Sequence, residues 1–146
     1  MKYTCEVTID LPRDRVIQLF DNPDNTSKWM PGLKSFEHLA GERGQPGATA
    51  RLIFDQGGKQ VEMTETILSR NLPEEFVGTY ETEGVKNHLV NRFYDKEPQK
   101  TRWVTETEFT FSGKMKLMAP MMKSSFKEQT QEYMDRFKKF AERASA

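Results

Sequence analysis

The sequence predicts an α+β fold in which a curved, seven-stranded antiparallel sheet surrounds one long carboxy-terminal helix, with two short helices after the first strand. Residues 2–10 alternate between polar and apolar side chains, which is typical of a half-buried strand. Between residues 33 and 111, strand-like runs and turn signals follow one another at short spacing, with no long helical period. From residue 117 onward, apolar residues recur at intervals of three and four, which indicates an amphipathic helix.

The first strand is followed by two short helices. Pro12 suits the first turn of a helix, and the apolar residues within 16–20 stand at helical spacing before Asn-Pro at 22–23 ends the segment. Asp and Asn at 24–25 can cap one or two further turns that end at residues 29–30, before Pro-Gly.

Six more strands and the final helix complete the chain. The strands are predicted at residues 33–39, 49–55, 60–68, 75–81, 85–95 and 100–111. The helix is predicted at 117–144, with an apolar stripe formed by Met118, Met122, Phe126, Thr130, Tyr133, Phe137 and Phe140. One helix covers such a sheet only if the sheet curls around it, and a curled sheet leaves space for a ligand between the two.

Composition limits the possible functions. Lys and Arg together number 22 and so do Asp and Glu, so the formal net charge is zero and no nucleic-acid partner is expected. The 146 residues fit a single domain. No apolar stretch approaches the roughly 20 residues needed to cross a bilayer, and the first residues do not resemble a signal peptide, so we expect a cytoplasmic protein without stable membrane insertion. A lone cysteine, Cys5, is consistent with a reducing compartment.

Motifs for metal, phosphate or nucleophilic chemistry are missing. His38 and His88 stand on separate predicted strands, and with a single cysteine they form no zinc motif, so neither a metal nor another cofactor is expected. Each histidine is interpreted as a surface or hydrogen-bonded strand residue. The Gly-Gly-Lys run at 57–59 lacks the other positions of a phosphate-binding loop and is interpreted as a hairpin turn.

The last helix has two unusual features. Residues 114–146 contain eight basic and four acidic residues, which favours a solvated basic face, with binding to anionic lipid or nucleic acid as the alternative. Five of the eight methionines lie in or just before this helix, near Pro120. Methionines in such a position are more typical of core packing than of an adaptable apolar pocket, and both interpretations stay open.

Several segments together resemble a known superfamily. Residues 7–12, 16–25 and 28–35 resemble the opening of the START-like (SRPBCC) superfamily, which includes polyketide cyclases and dehydrases, the Bet v 1 plant allergens and lipid-transfer domains. Residues 47–54 resemble its glycine-led strand, and the last strand and helix resemble its closing elements. This resemblance implies one START-like domain over residues 1–146 with the helix-grip fold. It implies no particular activity, because the scaffold hosts binding proteins as well as enzymes.

The favoured function is therefore the binding of a small hydrophobic or amphipathic ligand, lipid or polyketide-like, by a monomer or homodimer. Alternation along the strands and the helical stripe select the residues expected to line the cavity. They are Leu52, Phe54, Met63, Ile67, Tyr80, Leu89, Phe93, Trp103, Phe109, Met118, Met122, Phe126 and Tyr133.

The first alternative is a cyclase- or dehydratase-type enzyme that uses acid and base groups in the cavity. Glu65 shares strand parity with Met63 and Ile67, so it is the candidate catalytic carboxyl, and burial would raise its pKa. The competing interpretation is a structural acid paired with Arg51 or Arg92, or one that faces solvent. Hydrogen bonds to a ligand could come from three further residues, Tyr80, Asn91 and Tyr133.

The second alternative is a protein-interaction module that holds no ligand. Such a module predicts a filled interior and an exposed apolar patch.

Overall fold

The computed structural model describes residues 1–145 and has the predicted order of elements. In chain order they are β1 (Lys2–Ile9), α1 (Arg13–Phe20), a single 3₁₀ turn (Pro23–Asn25), α2 (Thr26–Trp29), β2 (Leu33–Ala40), β3 (Thr49–Gln56), β4 (Lys59–Asn71), β5 (Glu75–Thr82), β6 (Val85–Glu97), β7 (Lys100–Phe111) and α3 (Met115–Ala144). The seven strands form one antiparallel sheet in the order β1-β7-β6-β5-β4-β3-β2. The predicted fold class is thus confirmed.

Several elements are one to four residues longer than the sequence predicts, β4 and α3 among them. β4 continues to Asn71 because a register shift between Ile67 and Ser69 lets the strand bend and keep pairing with β5. α3 begins at Met115 and remains helical through Pro120.

Strand register decides which side chains share the concave face, the face turned toward the three helices. Directly opposed residues lie on the same face of a sheet. Val7 of β1 opposes Trp103 of β7, and Trp103 in turn opposes Phe93 of β6. The same relation extends the face across the remaining strands.

One end of the interior is filled by aromatic side chains. The Phe137 ring of α3 lies 5.2 Å from Trp29 and 5.3 Å from Trp103, both in edge-on geometry, and Phe20 of α1 lies 5.0 Å from Phe93. All of these rings except Phe20 are buried, and Phe20 is partly buried. This aromatic cluster is the main core, and it holds α1, α2 and α3 on the sheet.

The two halves of α3 differ in burial. In the carboxy-terminal half, Met134, Phe137 and Ala141 are fully buried, so the buried stripe is shifted by one residue from the predicted positions 133 and 140. The shift arises because α3 packs mainly against β1 and α2 rather than over the middle of the sheet. Within residues 1–145, no helix is both long enough and apolar enough to span a bilayer.

The amino-terminal half of α3 is largely exposed. Leu117, Met118 and Met121 are 84%, 47% and 80% exposed, so the methionine-rich segment is neither core nor pocket wall at these positions. The prediction that Met118 lines the cavity is therefore wrong for this structure. Helical period shows which residues share a face but not whether a sheet covers that face.

Candidate functional site

A pocket of about 130 Å³ lies between the short helices and the concave face of β2–β5. Its walls are mainly apolar and aromatic. They include Phe20, Trp29 and Met30 from the helical segment and Phe36, Leu52, Ile67 and Phe76 from the strands. A cavity of roughly 150 Å³ accommodates benzene, so this pocket has room for about one ring.

Glu65 and Tyr80 form a hydrogen-bonded polar pair in the pocket wall. The two residues oppose each other across β4 and β5, and Tyr80 donates a hydrogen bond of 2.6 Å from Oη to Glu65 Oε2. Burial raises the pKa of Glu65, although the bond from Tyr80 acts in the opposite direction. Burial, together with the charge of Glu65, raises the pKa of Tyr80 well above its usual value. Each shift favours the protonated form of its group relative to the same group in water.

No cation compensates Glu65 among residues 1–145. The predicted alternative partners are wrong, because strand alternation turns both arginines to the convex face. Arg51 pairs instead with Glu62 at 2.9 Å, and Arg92 pairs with Glu106 at 3.0 Å. The partner of Glu65 is Tyr80 instead. The sequence placed Tyr80 in the cavity but did not predict its hydrogen bond with Glu65.

Charged and polar residues mark one edge of the pocket. Arg70, at the end of β4, donates a hydrogen bond of 2.6 Å from Nη1 to Oδ1 of Asp21, just after α1. This bond is the main cause of a raised pKa for Arg70. His38 Nε2 lies 2.8 Å from the carbonyl oxygen of Gly41, which matches the interpretation of a hydrogen-bonded strand residue, although His38 also lines the pocket.

The nine strand residues predicted to line the cavity all lie on the concave face. Pairings such as Leu52 with Met63 place them there. Within the pocket itself the structure brings together only Leu52, Ile67 and Tyr80 of the predicted lining set, with the candidate acid Glu65.

The other predicted lining residues lie elsewhere in the fold. Phe93 and Trp103 belong to the main core, Phe54 and Met63 pack in a smaller cluster around Leu52, and Leu89 is partly buried on the concave face. Of the remaining five, Met118 is exposed, whereas Phe109, Met122, Phe126 and Tyr133 are partly buried, and Phe109 packs on Phe126 at 4.8 Å.

Two residues proposed as hydrogen-bonding groups have partners already. The Asn91 side chain accepts hydrogen bonds from Trp103 Nε1 at 3.0 Å and from Thr105 Oγ1 at 2.7 Å, so it stabilises the core. The Tyr133 hydroxyl accepts a bond of 3.3 Å from Gln129. Neither residue lines the pocket.

Sequence reasoning missed the helical wall of the pocket. Phe20, Trp29 and Met30 were assigned to short helices without a role in the site, and only the packing of these helices on the sheet brings them to it. The Trp29-Met30 pair directly before Pro-Gly was a usable signal, because large apolar residues at the end of a short helix must pack on a neighbouring element. In the described part of the chain, no three His, Cys, Asp or Glu side chains are grouped so as to hold a metal ion.

Solved structures share this fold. The Zhui aromatase/cyclase from Streptomyces sp. R1128 is 14% identical, with a TM-score of 0.84 over 100% of this chain and 96% of that chain. A START superfamily protein from Mycobacterium smegmatis is 13% identical, with a TM-score of 0.82 over 98% of each chain. A norcoclaurine synthase point mutant from Thalictrum flavum is 13% identical, with a TM-score of 0.74 over 100% and 96%. At these identities the likeness is one of fold alone.

Sequence comparison identifies the family. No curated protein matches the chain. The model of the family described as "Polyketide cyclase / dehydrase and lipid transport" matches residues 1–142. Since this match covers nearly the whole chain and the structure has the START-like architecture, the protein belongs to the polyketide cyclase / dehydrase and lipid transport family.

Proposed function

We propose that this protein binds a compact hydrophobic ligand in the pocket beside the short helices, with Glu65, held by Tyr80, contacting its polar group. The observation that carries the proposal is a pocket with aromatic walls and one partly buried carboxyl that no cation among residues 1–145 neutralises. Such a combination of apolar walls and a few polar groups is typical of small-molecule sites.

Pocket size narrows the ligand class predicted from the sequence. About 130 Å³ suits a single ring or a short branched chain, whereas a long acyl chain has several times that volume. Phe93, Trp103 and Phe137 occupy the space beyond the pocket where a longer ligand would extend. We therefore favour a ring-bearing ligand over a lipid.

The polar group of the ligand follows from the protonation of Glu65. Because burial raises its pKa, Glu65 retains its proton to higher pH than an exposed carboxyl, and a neutral carboxyl can donate a hydrogen bond. A carbonyl or ether oxygen on the ring accepts such a bond. Since Tyr80 already donates to Glu65, the carboxyl is the member of this pair that is free to contact the ligand.

Calorimetric titration and native mass spectrometry with toluene, acetophenone and palmitate test this proposal. We expect acetophenone to bind more tightly than toluene, because only acetophenone has a carbonyl oxygen, and we expect palmitate not to bind. Glu65→Gln keeps a hydrogen-bond donor, whereas Glu65→Leu removes it and should abolish the preference for acetophenone. Tight binding of palmitate without binding of either ring compound would contradict the proposal.

An acid–base enzyme is the second candidate, and the raised pKa of Glu65 is the observation that favours it. In its ionised form Glu65 would take a proton from the carbon next to a ketone, which leaves an enolate, and would return a proton to that carbon. Proton NMR in D₂O should then show exchange at the methyl group of acetophenone. Loss of this exchange in Glu65→Gln, but not in Glu62→Gln on the convex face, would support the enzyme, and full exchange in Glu65→Gln would exclude Glu65 as the base.

Other properties are predictions from the sequence alone. They are the single domain over residues 1–146, the cytoplasmic location, the monomeric or homodimeric state, and the absence of a cofactor and of a nucleic-acid partner.

A further inference from the structure

The amino-terminal half of α3 has an apolar surface on its solvent side. Leu117, Met118 and Met121 are largely exposed. At about 100° per residue, these three side chains fall within one arc of about 100° around the helix axis. The partly buried residues Met115 and Met122 point in other directions, so the exposed arc is separate from the face that packs on the fold.

The same segment is strongly basic. Residues 112–127 contain four lysines and no acidic residue. Lys114, Lys116, Lys123 and Lys127 are all exposed, and none forms an ion pair with another residue of the range 1–145. The four arginines of the sheet, by contrast, are all paired with carboxylates, as Arg51 and Arg102 are. The lysine-rich segment thus combines a largely exposed apolar arc with four lysines that form no ion pair within residues 1–145.

We propose that this segment, residues 112–127, docks the protein reversibly on an anionic lipid surface. An interfacial helix combines an exposed apolar arc with lysines whose long side chains reach the phosphate level, and this segment has both. Attraction to anionic lipid favours the docked state, and insertion of the apolar arc adds to it. The docked helix lies on the bilayer and does not cross it, which agrees with the lack of a spanning helix within residues 1–145.

Charge also argues against a second copy of the chain as the occupant. A two-fold contact through this arc would bring the same four lysines of each copy together with no acid between them. Like charges placed against each other oppose association. An anionic surface has the complementary charge, and a fluid bilayer needs no matching groove for a convex helix.

Vesicle co-sedimentation tests the proposal without any ligand in the pocket, so its outcome is independent of the proposed function. We expect binding to phosphatidylcholine–phosphatidylserine vesicles at low salt, weaker binding at raised salt, and little binding to phosphatidylcholine alone. Lys116→Gln with Lys123→Gln should weaken binding by roughly 25-fold, at roughly 5-fold for each lysine. Leu117→Ser with Met121→Ser should weaken it by about 10-fold or more.

The matched control replaces two exposed lysines elsewhere that form no ion pair within residues 1–145, Lys59→Gln with Lys96→Gln, and should leave vesicle binding unchanged. Unaltered thermal unfolding of each variant shows that the fold is intact. Absence of binding to the anionic vesicles, or equal binding by the Leu117/Met121 variant, would overturn the proposal. A dimer in sedimentation equilibrium that is lost in that variant would also overturn the proposal, because it assigns the surface to a second copy of the chain. Binding to polyglutamate but not to vesicles would overturn it as well, because it assigns the surface to an acidic protein.

Discussion

Filling the pocket should stabilise the fold and abolish ligand binding at the same time. Ala50 of β3 is buried, opposes Glu65 in the strand register and lines the pocket. In Ala50→Leu the added carbons enter the volume of about 130 Å³ that the proposed ligand needs.

The expected gain follows from the area removed from water. Leucine adds three carbon atoms to alanine, and at about 0.8 kcal/mol for each buried methylene this contributes up to roughly 2.4 kcal/mol. Loss of rotamer freedom in the leucine costs about 0.5–1 kcal/mol. The net increase in the free energy of unfolding is therefore about 1.5 kcal/mol, or a rise of roughly 3–6 °C in Tm for a domain of this size.

Thermal and urea unfolding measure the stability, and calorimetric titration with acetophenone measures binding. Ala141→Val is the matched control, because Ala141 is fully buried in the main core and does not line the pocket. The added carbons should lower the free energy of unfolding by about 1–3 kcal/mol. If Ala50→Leu is destabilised like Ala141→Val and still binds acetophenone, the pocket is not the ligand site and the reasoning is refuted.

Three further substitutions test the site and the core. Ionisation of Glu65 opposes folding because the pKa of its carboxyl is raised in the folded state. The stability contributed by the neutral carboxyl should therefore decline as pH rises through the folded-state pKa. Urea unfolding measured across pH should show this decline in the unsubstituted protein and not in Glu65→Gln. Each unit by which the folded pKa exceeds the unfolded one corresponds to about 1.36 kcal/mol, and an unchanged pH profile in Glu65→Gln would contradict this. Tyr80→Phe removes the hydrogen bond that lowers the pKa of Glu65, so carboxyl NMR should show a still higher pKa, whereas a fall would mean that Tyr80 acts mainly through burial. Phe137→Ala should cost about 3–5 kcal/mol in urea unfolding, because the ring is fully buried between Trp29 and Trp103, and a cost below about 1 kcal/mol would show that the aromatic cluster is not the main core.

Local patterns in the sequence determined much of this fold. Alternation predicted β1, and strand-like runs between turn signals predicted the other six strands. Strand parity also placed Glu65 on the same face as Met63 and Ile67, where the structure has it. Both results depend only on the geometry of a single strand, in which successive side chains point to opposite faces. The change to a helical period predicted α3 for the same reason.

Only the tertiary structure decided which of those residues form a site. The hydrogen bond from Tyr80 to Glu65 depends on the register of β4 against β5, and the bond from Arg70 to Asp21 joins segments 49 residues apart. The position of α3 near β1 buries Phe137 and leaves Leu117 in solvent, although both belong to one amphipathic helix. A local pattern specifies the direction of a side chain, whereas its partner and its burial are determined by where distant elements pack.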